Sequence, residues 1–243
     1  MVEYFHLRHC GAETAIVKVK IFNWPQTDFT EVSILEKRDS RKSSVVMIAA
    51  DRYSSVKGEL YTLRRSLAHT DSFNIDVFGR NWNQALLKKR ISYIKSLVKQ
   101  LIAGNLSLAV PKMMSKSIEK KRFLGYTQNK FETYAQYKYA LVIENSADYF
   151  SEKLIDAIIG GTIPIYVGAK LSDFGIPEDV AFQAEASTAS IEEAYFYLEK
   201  SPEMQKAIIE AGKRFLHSEQ YMKCRNHRSL MDLAEKIARY LNE

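Results

Sequence analysis

Short apolar runs alternate with segments of helical periodicity from residue 44 onward. The β-branched run 44–50 is typical of a buried strand, and segment 56–70 spaces three leucines at helical intervals. The run 74–79 predicts a second strand, and 83–104 predicts a long helix that ends at a glycine. The first half of the chain is therefore expected to follow the order strand, helix, strand, helix.

The same alternation continues in the second half. Segment 130–138 predicts a short helix, and 139–145 predicts a buried strand. Segment 151–161 predicts a helix ended by two glycines, and 162–168 predicts a further strand. Pro164 lies near the start of the last of these strands, where a missing backbone donor does least harm. The chain from Ile191 onward is predicted to be mostly helical.

Strict alternation of strands and helices indicates an α/β fold, a Rossmann-like parallel sheet with helices on both faces. In such a sheet, ligands bind beyond the carboxyl ends of the strands, where the chain turns into the helices. The connections at these ends are therefore the places where we expect functional side chains.

The composition fits one globular unit without a membrane span. The 243 residues are 46% hydrophobic, which is enough for one full core. No stretch approaches 18 uninterrupted apolar residues, and charged residues interrupt the first ten, so we expect a cytoplasmic chain with no transmembrane anchor. Cys10 and Cys224 lack metal-ligand spacing and are expected to be free thiols. No Asp-x-Asp motif is present, so no metal site is predicted.

Positive charge is concentrated in one segment. The chain has a net charge of +6, yet residues 81–125 alone carry +9, from ten lysines and arginines and one glutamate. This segment is predicted to be a basic helical insertion, and its charge suits a phosphate-bearing substrate, an anionic membrane surface or nucleic acid. A solvated helix face rich in lysine explains the charge equally well. Few aromatic residues are interleaved with the basic ones, which argues against nucleic acid as a partner.

Polar and charged side chains cluster in the turn after the strand at 139–145. Residues 144–153 bring amide, hydroxyl, phenol, carboxylate and ammonium groups into one strand-to-helix connection. Ser151 is expected to cap the following helix, whose free N–H groups attract anions. Lys153, in the first turn, opposes the helix dipole, and a lysine directed at a bound pyrophosphate would account for that position. Taken alone, Glu152 and Lys153 also fit ordinary solvent-facing positions.

The segment 137–168, YKYALVIENSADYFSEKLIDAIIGGTIPIYVG, resembles the donor-binding signature of the α-1,3-fucosyltransferases, glycosyltransferase family 10. The shared pattern is ENS, a short spacer, YxxEK, a helix and IPIYxG. Weaker similarity covers the family's strand and helix at 47–61, the IDVFGR sequence at 75–80 and the lysine-led helix at 130–138. The resemblance thus lies within residues 47–168.

This resemblance implies the C-terminal, donor-binding half of a GT-B glycosyltransferase, a fold of two facing Rossmann-like domains. The implied reaction transfers fucose from GDP-fucose to a glycan with inversion at the anomeric carbon. GDP-fucose is then a co-substrate, and no tightly bound cofactor is expected. The acceptor is expected to be a glycan or a lipid-linked oligosaccharide, and the basic insertion would suit the inner face of a bacterial membrane.

The resemblance also implies roles for individual residues. Lys153 would neutralise the pyrophosphate, and Asn145 and Tyr149 would hold the sugar or the nucleotide. Glu152, the catalytic candidate, would bond the fucose or stabilise positive charge at its anomeric carbon. The further donor-binding candidates are Lys57, Arg64, Arg80, Glu144 and Ser146.

Two features depart from the family pattern. Lys57 stands where the family has a phosphate-contacting arginine, so the donor site is expected to be weaker or rebuilt around Arg64 and Arg65. Residues 1–40 are too few for a Rossmann-like acceptor domain and are interpreted as its shortened remnant, with 41–243 as the donor-binding domain. The general base that the acceptor domain supplies is not identified, and the titratable candidates in this segment are Glu3, His6, His9 and Glu13.

The leading hypothesis is a fucosyltransferase-like enzyme, or the donor half of one. A transferase for another nucleotide sugar is the nearest alternative, because the polar turn suits phosphates better than it suits fucose. A catalytically silent nucleotide-sugar-binding module that pairs with another protein is the alternative from a different class. A nucleic-acid-binding protein built around residues 81–125 is the third.

Overall fold

The computed structural model of the chain describes residues 2–7, 15–20, 41–82, 122–224 and 238–239. The first two segments form an antiparallel hairpin of β1 (Val2–Leu7) and β2 (Ala15–Lys20), in which Val2 lies opposite Lys20. This hairpin was not among the predicted elements. The helix predicted at 83–104, and with it most of the basic insertion at 81–125, lies outside the described residues.

A five-stranded parallel sheet forms the centre of the remaining chain. Its strands are β3 (Lys42–Ile48), β4 (Ile75–Phe78), β5 (Tyr137–Ile143), β6 (Ile163–Val167) and β7 (Phe182–Gln183). They are ordered β4-β3-β5-β6-β7, and every neighbouring pair is parallel. The predicted α/β fold class is therefore confirmed. Four of these strands were predicted to within three residues at each end, and the two-residue β7 was missed.

Helices connect and follow the strands. They are α1 (Tyr61–Ala68), α2 (Lys130–Ala135), α3 (Lys153–Ile159), α4 (Thr188–Lys200), α5 (Pro202–Leu216) and α6 (Glu219–Cys224). Short 3-10 turns, Leu171–Phe174 and Glu178–Val180, lie between β6 and β7. No helix within residues 41–82 or 122–224 combines the length and the apolar composition needed to cross a bilayer.

The helices bury both faces of the sheet. Side chains of α1 and α4, including Leu67 and Ile191, pack with Val77 and Ile165 on one face. Side chains of α3 and α5 pack on the other face, together with those of Tyr137 and Tyr166. A strand buried on both faces has no polar side to alternate with, which is why β5 and β6 are nearly continuous apolar runs in the sequence.

Two helices start later than predicted. The helix expected at 56–70 begins at Tyr61, because the carboxylate of Glu59 accepts hydrogen bonds from the Tyr61 and Thr62 backbone N–H groups at 2.7 and 3.1 Å. The helix expected at 151–161 begins at Lys153. In both places the residues before the helix form a loop at the carboxyl edge of the sheet.

The strand order places a topological switch point between β3 and β5. In sequence order the sheet reads 2-1-3-4-5, so the connections leaving β3 and β5 run to opposite sides of the sheet. A crevice forms at the carboxyl ends of two such strands, and ligands of doubly wound proteins bind there. The connections after Ile48 and Ile143 are therefore where the fold itself favours a binding site.

Gly79 allows the end of β4 to lie close against the end of β3. Its φ is +141°, and a Cβ atom there would lie 2.0 Å from the carbonyl oxygen of Ala49. The Ala49 N–H donates to the Phe78 carbonyl at 2.9 Å, so neither backbone can withdraw without losing sheet structure. The glycine in the IDVFGR sequence is thus required by a backbone contact.

We expect Gly79→Ala to lower the free energy of unfolding by about 3 kcal/mol or more, from backbone strain and steric overlap together. Gly125→Ala is the matched control, because Gly125 also has a positive φ, +93°, but has open space around its Cβ position. The control is expected to cost about 1 kcal/mol. Urea denaturation of both variants measures the difference, and equal costs would contradict the proposed contact.

A partly buried ion pair joins α2 to α3. Asp156 is buried, and its carboxylate accepts a hydrogen bond from the ammonium of Lys130. Burial raises the pKa of Asp156 from 3.8 to about 6, and Lys130 opposes that shift. Glu152 raises this pKa further and Lys153 lowers it. The native protein therefore retains a proton between pH 4 and 6 that the unfolded chain has released.

Because the native protein holds this extra proton, its free energy of unfolding falls as the pH rises from 4 to 6. Relative to Asp156→Asn, the wild-type protein is expected to lose up to about 3 kcal/mol of unfolding free energy between pH 4 and pH 7. The control Asp173→Asn removes an exposed carboxylate and leaves Asp156 in place, so it should keep the wild-type fall in stability. Urea midpoints at pH 4, 5, 6 and 7 test this, and parallel pH profiles for all three proteins would contradict it.

Candidate functional site

Two connections meet at the switch point. The backbone N–H of Leu60 donates to the Asn145 carbonyl at 3.0 Å, and that of Ala147 donates to the Gly58 carbonyl at 3.1 Å. Glu59 and Ser146 form an isolated antiparallel bridge between these two contacts. The loop before α1 and the turn after β5 are thereby joined, which brings the predicted site residues of both segments to one edge of the sheet.

Arg64 on α1 lies beneath this junction. Its side chain is 2% exposed, and its Nη2 donates to the Ile143 carbonyl at 2.5 Å and to the Asn145 side-chain oxygen at 3.1 Å. Its buried Nε has no hydrogen-bond partner. Within residues 41–82 and 122–224, no carboxylate lies within ion-pair distance of this guanidinium. Burial lowers the pKa of Arg64, while the ionisable groups of Tyr61 and Glu144 act in the opposite direction.

Arg64 also fixes the orientation of Asn145. A guanidinium has donors only, so the amide of Asn145 must turn its oxygen toward Arg64 and its NH₂ group away from it. Asn145 is half-buried, and the turn that carries it is exposed at Ala147 and Asp148. The amide is thus held as a hydrogen-bond donor at the carboxyl end of β5.

A second buried charge lies one residue earlier. Glu144 has no exposed surface, and its carboxylate accepts hydrogen bonds from the Ser151 N–H at 2.9 Å and the Ser151 hydroxyl at 2.8 Å. The ammonium of Lys153 lies 2.9 Å from Glu144 Oε2 and 2.7 Å from Ser151 Oγ. The Lys153 side chain remains 20% exposed. These three residues form a network that opens to solvent only at the lysine.

This network corrects the predicted role of Ser151. Ser151 does not cap α3: the residue at that position is Glu152, it makes no side-chain cap hydrogen bond, and the Ser151 hydroxyl bonds Glu144. Glu144, predicted as a donor-binding residue, is completely buried, and its carboxylate is bonded to Ser151 and Lys153. Its geometry is that of a support for Ser151 and Lys153.

The other predicted residues lie around this network. Ser146 donates from its hydroxyl to Asp148 at 2.7 Å. Tyr149 accepts at its carbonyl from the Ala169 N–H at 3.2 Å, which ties the turn to the end of β6, and its ring centre lies 6.0 Å from the Lys153 ammonium. Glu152 is half-buried, and its carboxylate makes no hydrogen bond to any residue of the described part of the chain.

Lys57 and Arg80 are farther from the network. Both side chains are exposed, and neither forms a hydrogen bond or ion pair with the residues that the structure describes. Lys57 lies in the loop that joins the turn after β5, while Arg80 follows β4 and accepts at its carbonyl from the Asp51 N–H at 2.9 Å. The structure thus brings together Arg64, Asn145 and the Glu144 network, with Lys57 and Arg80 at the periphery.

Arg65 has a structural role. It is as buried as Arg64, but it donates to the Asp51 carboxylate at 3.4 Å, the Arg52 carbonyl at 2.5 Å and the Thr62 hydroxyl at 2.9 Å. Its guanidinium also lies 4.0 Å from the ring centre of Tyr53. Of the two arginines around which the site was expected to be rebuilt, Arg64 alone lacks a direct carboxylate partner among the described residues.

An open cleft lies beside the junction, between the start of α1 and the loop before α4. Its volume is about 430 Å³. The lining residues are Gly58, Glu59, Leu60, Thr62, Leu63, Ser66, Ala147, Ala186, Ser187 and Thr188. Sequence reasoning missed Glu59 and the serines and threonines of this cleft, and an acid two residues before a helix was the available signal. Among the described residues, no group of three or more His, Cys, Asp or Glu side chains is arranged to hold a metal ion.

Comparison with known proteins gives a likeness of fold. No protein-family profile matches the sequence. A search of curated protein sequences finds no match. An α1,3-fucosyltransferase crystallised with GDP-fucose resembles this chain with a TM-score of 0.39 and 16% identity, over 76% of this chain and 41% of that one.

Two further solved structures are similar. The glycosyltransferase from Rickettsia africae ESF-5 has a TM-score of 0.47 and 15% identity, over 85% of this chain and 50% of that one. Anabaena Alr3699/HepE in complex with UDP and glucose has a TM-score of 0.49 and 14% identity, over 81% of this chain and 48% of that one. The chain thus spans half or less of each of these proteins, and likeness at this level does not establish a substrate or an activity.

We expect the Glu144–Lys153 pair to be strongly coupled in stability. Lys153→Met leaves a fully buried carboxylate without its counter-ion and should cost about 3 kcal/mol or more, whereas adding Glu144→Gln should recover part of that loss. The expected coupling energy is about 1–3 kcal/mol.

The matched control is the half-exposed pair of Lys138 and Glu199, 3.3 Å apart, for which the coupling should stay below about 1 kcal/mol. Urea denaturation of each single and double variant measures both cycles. Equal coupling in the two cycles would show that Glu144 does not support Lys153.

Proposed function

We propose that the chain is the donor-binding part of a GT-B glycosyltransferase that transfers fucose from GDP-fucose to a glycan acceptor with inversion. The observation that carries the proposal is the buried guanidinium of Arg64 at the switch point, whose contacts among the described residues are two neutral oxygens and the ring of Tyr61. The ENS…YxxEK…IPIYxG pattern supports fucose as the sugar.

The charge of Arg64 favours an anion at this edge of the sheet. Removing a guanidinium from water costs several kcal/mol, and carbonyl and amide oxygens offset only part of that cost. Because the site is buried, the charge of Arg64 is poorly screened and extends to the turn above it. A diphosphate bound over this turn would supply the missing counter-charge.

Lys153 supplies the second cation. Its ammonium uses two of its three donors on Glu144 and Ser151, which leaves one donor, and 20% of the side chain is exposed. Arg64, Lys153 and Glu144 together carry one net positive charge. Cations that are already oriented before the ligand arrives stabilise the negative charge that develops on a departing GDP without further reorganisation.

The remaining candidates take secondary positions in this proposal. The NH₂ group of Asn145 would donate to the diphosphate or the sugar, and Tyr149 and Ser146 would contact the donor from the same turn. Glu152, whose carboxylate is free of hydrogen bonds to the described residues, is the candidate for bonding fucose or stabilising its anomeric carbon. Lys57 and Arg80 would act at longer range from the rim.

The proposal leaves the acceptor side to other residues. A glycan or lipid-linked oligosaccharide and the general base would meet the donor from residues 1–40 or from a partner protein. A transferase for another nucleotide sugar is the second candidate, because Arg64 and Lys153 address the diphosphate that all such donors share. A silent binding module would use the same contacts without turnover.

Calorimetric titration with GDP-fucose, GDP-mannose and UDP-glucose tests the proposal. We expect saturable binding with preference for GDP-fucose, and a loss of about tenfold or more in Lys153→Met, the range for a charge-assisted hydrogen bond. Lys138→Met is the matched control, since it also removes a lysine paired with a glutamate but lies away from the switch point.

The outcomes separate the candidates. No binding of any nucleotide sugar by the folded protein would contradict the proposal. Equal loss in Lys153→Met and Lys138→Met would show that the donor binds elsewhere. Preference for UDP-glucose would support the second candidate. Binding of GDP-fucose without release of GDP in the presence of glycan acceptors would support the silent module.

A further inference from the structure

The 430 Å³ cleft beside the junction differs in chemistry from the Arg64–Lys153 side. Its charged lining residue is an acid, Glu59, and its other polar lining side chains are the hydroxyls of Thr62, Ser66, Ser187 and Thr188. A diphosphate is attracted to the cations and repelled by a carboxylate. The two sides of the junction therefore suit different parts of one ligand.

The helix starts that flank the cleft are already capped from within the chain. Glu59 accepts hydrogen bonds from the N–H groups of Tyr61 and Thr62 at the start of α1. Ser187 accepts one from the Ser190 N–H, at 3.1 Å, at the start of α4. With these donors occupied and a carboxylate beside them, an anion gains little in the cleft.

Glu59 retains the capacity to accept one more hydrogen bond. A carboxylate offers about four acceptor positions. Three are used, by the two backbone N–H groups and by the Thr62 hydroxyl. The Ser187 hydroxyl accepts from Ser190 and still has its own proton to donate. The hydroxyls of Thr62 and Ser66 already donate to Glu59 and to the Thr62 carbonyl, which leaves those of Ser187 and Thr188 as donors. A fixed acceptor near these two hydroxyls is complementary to a neutral ring that carries several hydroxyl groups.

We propose that this cleft binds a hydroxyl-bearing neutral ring of the nucleotide-sugar donor, the ribose or the transferred sugar, with Glu59 accepting a hydroxyl proton. The proposal rests on the proposed function, because it places the diphosphate of the same ligand across the junction at Arg64 and Lys153. The cleft volume is within the range of small-molecule sites, about 300–1,000 Å³, and exceeds what one ring requires.

Filling the cleft tests the location. Ala186→Trp adds a large side chain at an exposed lining position, and Ala189→Trp is the matched control at an exposed position of α4 outside the cleft. In calorimetric titrations, Ala186→Trp is expected to weaken GDP-fucose, which carries both rings, about tenfold or more and to leave pyrophosphate unchanged. Ala189→Trp should change neither affinity.

Removing the charge of Glu59 tests its role. In Glu59→Gln the amide oxygen can still cap α1, so the fold should be retained, which thermal unfolding checks. GDP-fucose is expected to bind about three- to tenfold more weakly, because a neutral acceptor replaces a charged one at the ring hydroxyl. Pyrophosphate is expected to bind more tightly, because a nearby negative charge has been removed. Opposite signs for the two ligands distinguish this role from general destabilisation.

Ligand analogues identify which ring is bound. If 2′,3′-dideoxy-GDP binds more weakly than GDP to the wild-type protein and equally to Glu59→Gln, the ring is the ribose. If GDP-fucose binds more tightly than GDP, and Ala186→Trp or Glu59→Gln removes that gain, the ring is the sugar. Either result supports the proposal.

The failures are separable. Pyrophosphate binding with no gain for GDP or GDP-fucose, or equal affinities in Ala186→Trp and Ala189→Trp, would overturn the inference and leave the diphosphate site standing. Failure of pyrophosphate and every nucleotide to bind would overturn the proposed function, and the assignment of the cleft with it.

Discussion

The guanidinium of Arg64 joins the first helix of the sheet domain to the end of its central strand. It reaches from α1 to the carbonyl of Ile143, the last residue of β5, and to the side chain of Asn145 in the following turn. Burying a cation whose hydrogen-bond partners are neutral costs free energy, so the surrounding structure must be arranged to hold it. The orientation of the Asn145 amide depends on this one side chain.

The site is divided by charge along the junction between residues 58–60 and 145–147. Lys153 provides positive charge beside the turn after β5, and Glu59 provides negative charge in the cleft, from where it also acts on the buried Arg64. A ligand with a charged end and a neutral, hydroxyl-rich end would be oriented by this division alone. The junction is made of backbone hydrogen bonds at 3.0 and 3.1 Å, so the separation is set by the fold and not by flexible side chains.

The fold was predictable because a parallel strand buried on both faces leaves an apolar run that periodicity detects. The turn at 144–153 was recognisable as a candidate site because its polar side chains lie between two apolar segments, a strand and a helix. The roles within the turn were not predictable. Whether Ser151 bonds a helix N–H or the carboxylate of Glu144 depends on the distance between two segments, which local sequence rules do not contain. Periodicity indicated that the first helix begins at residue 56, whereas Glu59 caps α1 so that it begins at Tyr61, five residues later. Glu59 was therefore missed.

Lys153 shows how a residue that breaks a local rule is accommodated. A lysine in the first turn of a helix opposes the dipole, and this alone favoured a functional role. The structure supplies a local explanation as well, because the buried carboxylate of Glu144 holds the ammonium at 2.9 Å. The two explanations are compatible for a physical reason. A counter-ion that neutralised the lysine completely would remove its attraction for a phosphate, but Glu144 must offset both Lys153 and the nearby Arg64. Of Arg64, Glu144 and Lys153, the lysine keeps the most exposed surface, 20% of its side chain, so a phosphate that approaches these charges meets Lys153 first.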